Sequence, residues 1–314
     1  MLITITHKGY IKRMPIDTYK SQKRGGRGVI GLTTAEDDIA EHMFIANTHH
    51  YLLFFTNRGV CYRLKVWEIP EASRQAKGQA IINLLSFKPD ERVTAVIPIR
   101  SFQTDKYLFM ATKEGIVKKT PLREYNTSRR EGLIAISLDE GNDLIGVKLT
   151  DGSRDIMLAT ANGLAIRFHE EEVRSMGRVT RGVKGIRLRS GDSVVAMELV
   201  RENADILVLT EAGYGKRTSM KEYRPQARGG KGIITMKTNK RNGKVVTIQG
   251  VEGYEELMIV SRNGIIIRVE AAEISRQGRA TQGIRVMRMD EDDSIVSVAR
   301  LTMKTTEEVE NHGK

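Results

Sequence analysis

One cysteine in 314 residues, Cys61, leaves no intrachain disulfide to staple the fold. That usage fits a reducing cytoplasm. The flanking Gly59-Val-Cys-Tyr-Arg63 reads as a strand, so Cys61 is expected as a small core residue and not as a nucleophile. Aromatics make up only 5% of the chain, and Trp67 is its one tryptophan. That scarcity argues against a surface that stacks the bases of single strands. It also rules out a propeller built on repeated Trp-Asp dipeptides. No stretch approaches the roughly 18 consecutive apolar residues of a membrane helix, and Met1 to Tyr10 has no signal-peptide core. No GxxxxGK[ST] loop is present for ATP. His49-His50 has no cysteine or carboxylate at ligand spacing, so zinc is not expected. The acidic clusters Asp139, Glu140, Asp143 and Asp290–Asp293 fall between expected strands and read as solvated turns, not metal sites. No catalytic residue, metal or cofactor is expected.

Negative charge is in deficit. Fifty-one Lys and Arg stand against 39 Asp and Glu, a net charge of +12, and the pI is near 9.7. A surplus this large makes a polyanion, nucleic acid or an acidic membrane surface, the default partner.

What the chain does contain is a repeat. Thr or Ser, two residues, then Gly recurs at Thr6…Gly9, Thr56…Gly59, Thr112…Gly115, Thr160…Gly163, Thr210…Gly213 and Ser261…Gly264. Short apolar or β-branched runs flank each copy, a hairpin pattern with glycine at the left-handed position of the turn. A second glycine follows about twenty residues later: Gly28, Gly78, Gly132, Gly185, Gly232 and Gly283. After it come an apolar segment, such as Ile81–Leu85 or Ile233–Met236, and then one more strand, as in Val93–Ile99 or Val194–Leu199. Little reads as helix; Ile16–Ser21 is the best short candidate. Six repeats of about 50 residues, each with four strands, predict an all-β, six-bladed propeller that closes on itself; a linear solenoid is the alternative. The expected blades run near 1–50, 51–105, 106–154, 155–203, 204–254 and 255–304, in one domain over 1–304. The first repeat starts almost at residue 1, the pattern of a piece cut at a domain boundary. The polar stretch from Thr302, with Glu307, Glu308 and Glu310, is expected to be a disordered acidic tail over 305–314.

Repeats let columns be compared inside one chain. Four residues after each hairpin glycine stand Arg13, Arg63, Lys119, Arg167, Arg217 and Arg268. Four before each second glycine stand Arg24, Arg74, Ser128, Arg181, Arg228 and Arg279, with Arg129 and Arg130 beside the exception. One before it stand Arg27, Lys77, Glu131, Lys184, Lys231 and Gln282. Two readings compete for these columns. Arginines could pair with acids on the neighbouring blade, although no acidic column of matching regularity stands out. Alternatively the cations form a ring that attracts duplex DNA, releasing counterions without reading sequence. Repeated cations on a rim would offset the elastic cost of bending the duplex. A protein-interaction propeller would show apolar or mixed-charge loops, and a propeller enzyme would repeat carboxylates or metal ligands at the axis.

The densest cationic loop is Gln22-Lys23-Arg24-Gly25-Gly26-Arg27-Gly28, with a near copy at Gln226-Ala-Arg-Gly-Gly-Lys-Gly232. Glycines beside arginines let backbone N–H groups approach a phosphate. This heptad resembles the box of the C-terminal DNA-wrapping domain of DNA gyrase A subunits. Gly9-Tyr-Ile-Lys-Arg13, Gly213-Tyr-Gly-Lys-Arg217 and Gly229-Gly-Lys-Gly232 support the likeness along the whole chain. The resemblance implies a β-pinwheel that wraps duplex DNA in a positive, right-handed sense and presents a segment for strand passage. It implies two partners in an A2B2 gyrase holoenzyme: the B subunit, together with the N-terminal part of the A subunit. The ATP and Mg used by that holoenzyme would act elsewhere than in this domain. It also implies a non-catalytic, monomeric domain in the bacterial cytoplasm, associated with the nucleoid. Topoisomerase IV C subunits carry a related domain with a degraded or absent box, so the intact heptad favours gyrase.

Overall fold

The computed structural model describes residues 1–6, 8–15, 40–73, 76–127, 132–263, 265–290 and 292–301, with the side chains of 40–44, 266 and 301 left aside. Gln22–Gly28, Arg74, Arg129, Arg130, the expected helix at Ile16–Ser21 and the expected tail lie outside the described residues.

Each hairpin forms for a local reason. In the fourth repeat, Gly163 donates its N–H to the Thr160 carbonyl at 3.0 Å, and the Thr160 hydroxyl accepts from the Leu164 N–H at 3.2 Å. Gly163 has φ +82°, and a Cβ there would lie 2.1 Å from the Met236 carbonyl oxygen. Glycine is therefore required twice over, by conformation and by space. The same hydroxyl contact recurs at Thr6, Thr112, Thr210 and Ser261. These side chains are buried, which explains the Thr/Ser column.

The strands assemble into six antiparallel sheets. In the fourth, Asp155–Thr160 pairs with Leu164–His169 on one side and Val194–Leu199 on the other. Its outer strand, Ile233–Ile234, comes from the following repeat and pairs with Leu164 and Ala165. The first, second, third and fifth sheets likewise take an outer strand from the next repeat: Gln79–Ala80, Leu133–Ile134, Val183–Lys184 and Ile284–Arg285. Each of these sheets therefore draws on two successive repeats. Three of its strands come from one repeat and the fourth is borrowed from the following repeat. The expected third strand at Ile81–Leu85 is shorter than its apolar run: Gln79–Ala80 is extended and Ile81–Asn83 is a 3-10 turn. Among the described residues the sixth sheet has three strands, Ile266–Glu270, Glu256–Ser261 and Ile295–Leu301.

The last strands of successive repeats pack against one another around the axis. Val93–Ile99 meets Leu144–Thr150, then Val194–Leu199, Val245–Val251 and Ile295–Leu301 follow. Ile295–Leu301 packs against Ala40–Ile45 of the first repeat, so the array closes into a ring and is not a solenoid. The apolar core lies between blades. One cluster joins Leu53, Phe55 and Cys61 of the second repeat to Leu108, Met110, Leu122 and Tyr125 of the third. Cys61 is fully buried there, and burial pushes its thiol pKa well up, an inert packing role.

Candidate nucleic-acid interface

In the first, third, fourth and fifth blades the outer edge of the hairpin's second strand is paired twice. In the fifth blade, Arg217 exchanges backbone hydrogen bonds with Ser275 and Gln277 of the sixth repeat. Further along, Gly215 and Tyr214 pair with Ile284 and Arg285. Residues 278–283 leave the strand edge between these two attachments. Equivalent rim loops span 177–182 and 227–232.

These loops correct the sequence frame in the fourth repeat. The glycine that re-enters the ladder is Gly182, not Gly185. Gly182 has φ +100°, and a Cβ there would lie 2.4 Å from the Val117 carbonyl. Gly78, Gly232 and Gly283 crowd the matching carbonyls of Ile11, Ala165 and Gly215 in the same way. The arginine four residues before the glycine is therefore Arg178, which the column reading missed. Arg181 moves to the place held by Lys77 and Lys231, and Lys184 falls on the outer strand opposite Ile116.

In the corrected frame the loop arginines share one geometry. Each donates from its guanidinium to the outer-strand carbonyl of the preceding repeat: Arg178 to Ile134 at 3.3 Å, Arg228 to Lys184 at 2.6 Å, Arg279 to Ile234 at 2.9 Å. At Arg228 and Arg279 a carboxylate of the preceding repeat caps the arginine's own N–H. Glu172 takes that of Arg228 at 2.7 Å, and Glu222 takes that of Arg279 at 3.1 Å. These acids belong to a column that sequence reading overlooked. Nine residues after the hairpin glycine stand Glu68, Glu124, Glu172, Glu222 and Glu273. Each lies in the 3-10 turn that follows the hairpin. The loop arginines remain half-buried, while Lys77, Arg181, Lys184 and Lys231 are exposed. Arg181 pairs with Asp139 at 2.9 Å, and Lys77 lies over the Tyr10 ring at 4.0 Å.

The other cation column lies between blades. Arg13 donates to the Ile69 carbonyl at 2.6 Å and pairs with Glu71 at 3.0 Å. Lys119 donates to the Glu170 carbonyl at 2.9 Å. Arg167 is about 10% exposed and bonds Asp155 at 2.7 Å, Glu202 and the Tyr223 carbonyl. Arg217 bonds Asp205 at 3.2 Å and the carbonyls of Ile274 and Ala272. The backbone acceptors all belong to the next repeat. Arg63 stacks on Tyr51 and Phe102, and Arg268 pairs with Glu256 on its own hairpin. Arg13, Lys119, Arg167 and Arg217 thus each bond backbone of the next repeat, while only Arg13 pairs with an acid there; Asp155, Glu202 and Asp205 belong to the cation's own repeat.

A third set of cations is buried outright. Lys12, Lys118 and Lys216 are 0–1% exposed. Burial lowers the Lys12 pKa, and it brings Lys118 down to about 7 and Lys216 to about 8. Arg178 adds to the lowering at Lys118 while Glu124 opposes it; Arg279 and Glu222 do the same at Lys216. Both amines titrate near 10.4 when the chain is unfolded, so between the two values the unfolded state binds more protons. Stability is then expected to rise with pH from about 7 and 8 toward 10.4, by up to about 1.4 kcal/mol per pH unit for each lysine. Denaturation at pH 8 and pH 9.5 should show the wild-type chain gaining on Lys118→Met. Parallel pH curves would contradict the burial.

No helix among the described residues is long and apolar enough to cross a membrane. The family profile described as "DNA gyrase C-terminal domain, beta-propeller" matches residues 1–47, 50–100, 106–151, 154–201, 204–252 and 255–302. The DNA gyrase A subunit of Halalkalibacterium halodurans is 56% identical over 307 residues, 98% of this chain and 37% of that protein. That of Clostridium acetobutylicum is 49% identical over 311 residues, 99% of this chain and 38% of that protein. The chain thus spans somewhat over a third of the length of these relatives. Among solved structures, a DNA topoisomerase IV C-terminal domain superposes with TM-score 0.86 at 27% identity, covering 100% of this chain and 98% of that one. A DNA gyrase A C-terminal domain superposes with TM-score 0.76 at 28% identity, covering 96% and 99%. Six matched repeats, a closed propeller and whole-chain identity to gyrase A proteins agree: the chain belongs to the DNA gyrase C-terminal domain β-propeller family.

Proposed function

We propose that this chain binds duplex DNA along its rim loops and wraps it in a positive, right-handed sense. In that role it presents a DNA segment for strand passage, so that a gyrase holoenzyme introduces negative supercoils. The chemistry that cuts DNA and hydrolyses ATP belongs to other parts of the holoenzyme. Its partners there are the B subunit plus the N-terminal part of the A subunit. The observation that carries this reading is the repeated rim loop. Arg178, Arg228 and Arg279 occupy one equivalent place in successive repeats, with Arg181 or Lys231 three residues on. Phosphate contacts of this kind bind without reading sequence. The DNA track is assigned to the rim column, with Lys77 and Lys184 beside it and the Gln22–Gly28 heptad as its first-repeat member. Arg13, Lys119, Arg167 and Arg217 are assigned to joining blades. A topoisomerase IV domain is the second reading, favoured by its close superposition; the intact heptad and 56% identity to a gyrase A protein weigh for gyrase.

Salt titration tests the DNA reading. Affinity for random-sequence duplex should fall linearly on a log–log plot with salt, by about 0.9 for each phosphate neutralised. Arg228→Ala and Lys231→Ala should each lower that slope by about 1. Binding that is flat across salt would refute it.

A further inference from the structure

Three residues after each hairpin glycine the chain alternates. Odd repeats carry Lys12, Lys118 and Lys216; even repeats carry Tyr62, Ile166 and Ile267. This is the strand position over which the next repeat's rim loop arches. An arch that leaves a ladder exposes carbonyls with no strand partner, and a buried carbonyl without a donor is costly. In the odd blades the lysine amine fills that role. Lys216 donates to the carbonyls of Gly278 and Arg279 at 2.5 and 2.6 Å. Lys118 donates to the Arg178 carbonyl and to that of Ala135 at 2.5 Å. Lys12 donates to Ala76 at 2.7 Å and Ser73 at 3.3 Å. Both the ammonium and the neutral amine have at least two N–H donors, so the contacts survive the lowered pKa.

The loops over Lys118, Ile166 and Lys216 differ in sequence. Over Lys118 and Lys216 stand Gly177-Arg-Val-Thr-Arg-Gly182 and Gly278-Arg-Ala-Thr-Gln-Gly283, with no paired glycine. In both, a threonine hydroxyl closes the arch on the first glycine's carbonyl at 2.9 Å. Over Ile166 stands Gln226-Ala-Arg-Gly-Gly-Lys-Gly232, where a Cβ on Gly230 would lie 3.4 Å from Ile166 Cδ1 and 3.2 Å from the Ala227 carbonyl. At Ile166 the apolar floor thus carries a glycine-pair loop that packs down on it. The lysine floor goes with an arch pinned from below through its backbone.

We infer that Lys118 and Lys216 are positioning residues for DNA binding: each pins the backbone of the next repeat's rim loop and so positions its arginine. This rests on the rim-loop reading of DNA binding. The pin acts on the arginine's own carbonyl in two cases, while Glu222 holds the N–H of Arg279 and Ile234 its guanidinium. Arg279 is fixed at three points, and only the lysine contact comes from the blade's interior.

The test is a double-mutant cycle on duplex affinity at low salt, using the 314-residue chain. Arg178→Ala should weaken binding about 3–10-fold through loss of phosphate contact. Lys118→Met keeps the side chain's length and removes the amine. It should weaken binding comparably in protein shown folded by its denaturation midpoint. The double variant should bind within about twofold of the weaker single, because the lysine acts through the arginine. A merely structural lysine would give the product of the two effects, or a lowered midpoint with unchanged affinity; either overturns the inference while leaving the rim reading intact. Unchanged affinity in Arg178→Ala would overturn both. Lys216→Met with Arg279→Ala supplies a second cycle, and Lys118→Ile, which copies the floor the chain uses at Ile166, replaces the methionine variant if that fails to fold.

Discussion

Replacing Gln22–Gly28 with alanines is expected to leave the chain folded and to abolish negative supercoiling by the reassembled gyrase, while ATP-dependent relaxation survives. The repeat supplies the reason. Gly28 and Arg24 belong to columns shared with other repeats, but Gln22, Lys23 and the Gly25-Gly26 pair recur together only in part, at Gln226–Gly232. In that copy Gly229 has φ +77°, and its N–H bonds the Gly185 carbonyl at 2.8 Å. The Gly230 carbonyl in turn accepts from the Arg187 N–H at 2.8 Å. A glycine-pair loop is thus a backbone-built turn that carries a cation on each side. Alanine at the position of Gly229 or Gly230 strains the turn, and alanine at the cations removes the phosphate contacts. The loss should fall on wrapping, since relaxation needs strand passage but no imposed handedness. Retained supercoiling would refute a special role for the heptad.

Arg167→Met is expected to destabilise the chain by roughly 3–5 kcal/mol, the usual result of removing one partner from a buried ion pair. Asp155 is 16% exposed, and without Arg167 it loses its cation. The Tyr223 carbonyl loses a donor at the same time, so two successive repeats come apart at one point. Arg268→Met should change stability by less than about 1 kcal/mol, because Arg268 is half exposed and its ion pair is open to solvent. Folded Arg167→Met should keep its affinity for duplex DNA. The check is a denaturant midpoint together with a binding isotherm for each variant. A stable Arg167→Met that binds DNA poorly would return this column to the DNA track.

The hairpin glycines and their Thr/Ser partners were legible because the turn itself demands them: Gly163 needs φ +82° wherever the blade sits, and Thr160 reaches only four residues. The number of repeats and the all-β class followed from that local chemistry. Strand exchange was not legible. Ile233–Ile234 looks the same in sequence whether it pairs with its own hairpin or with Leu164 and Ala165 of the previous one. The frame slip at Gly185 has the same origin: two glycines lie three residues apart, and only contact with the Val117 carbonyl selects Gly182. The glutamate column was hidden because Glu172 and Glu222 meet backbone N–H groups more than fifty residues away. The buried lysines were hidden because alternation assigns a charged residue in a strand to solvent. Nothing in Gly9–Arg13 shows that Lys12 faces carbonyls of the next repeat.

The cations thus divide their labour. Those four residues after the hairpin glycine, Arg13, Lys119, Arg167 and Arg217, join repeats. Buried lysines hold loops from below, and the rim carries the charge a polyanion can reach. A ring joined in this way can resist a bent duplex, whose elastic cost is of order a few kcal/mol per 20–30 bp, without opening between blades.

Handedness is the central claim, and one measurement reads it. Nicked circular DNA is ligated with increasing amounts of the 314-residue chain, deproteinised, and its linking number measured. Positive wrapping predicts a rise in linking number that grows with bound protein and is missing for the Gln22–Gly28 alanine variant. A linking number unchanged at saturation, or lowered, would contradict it.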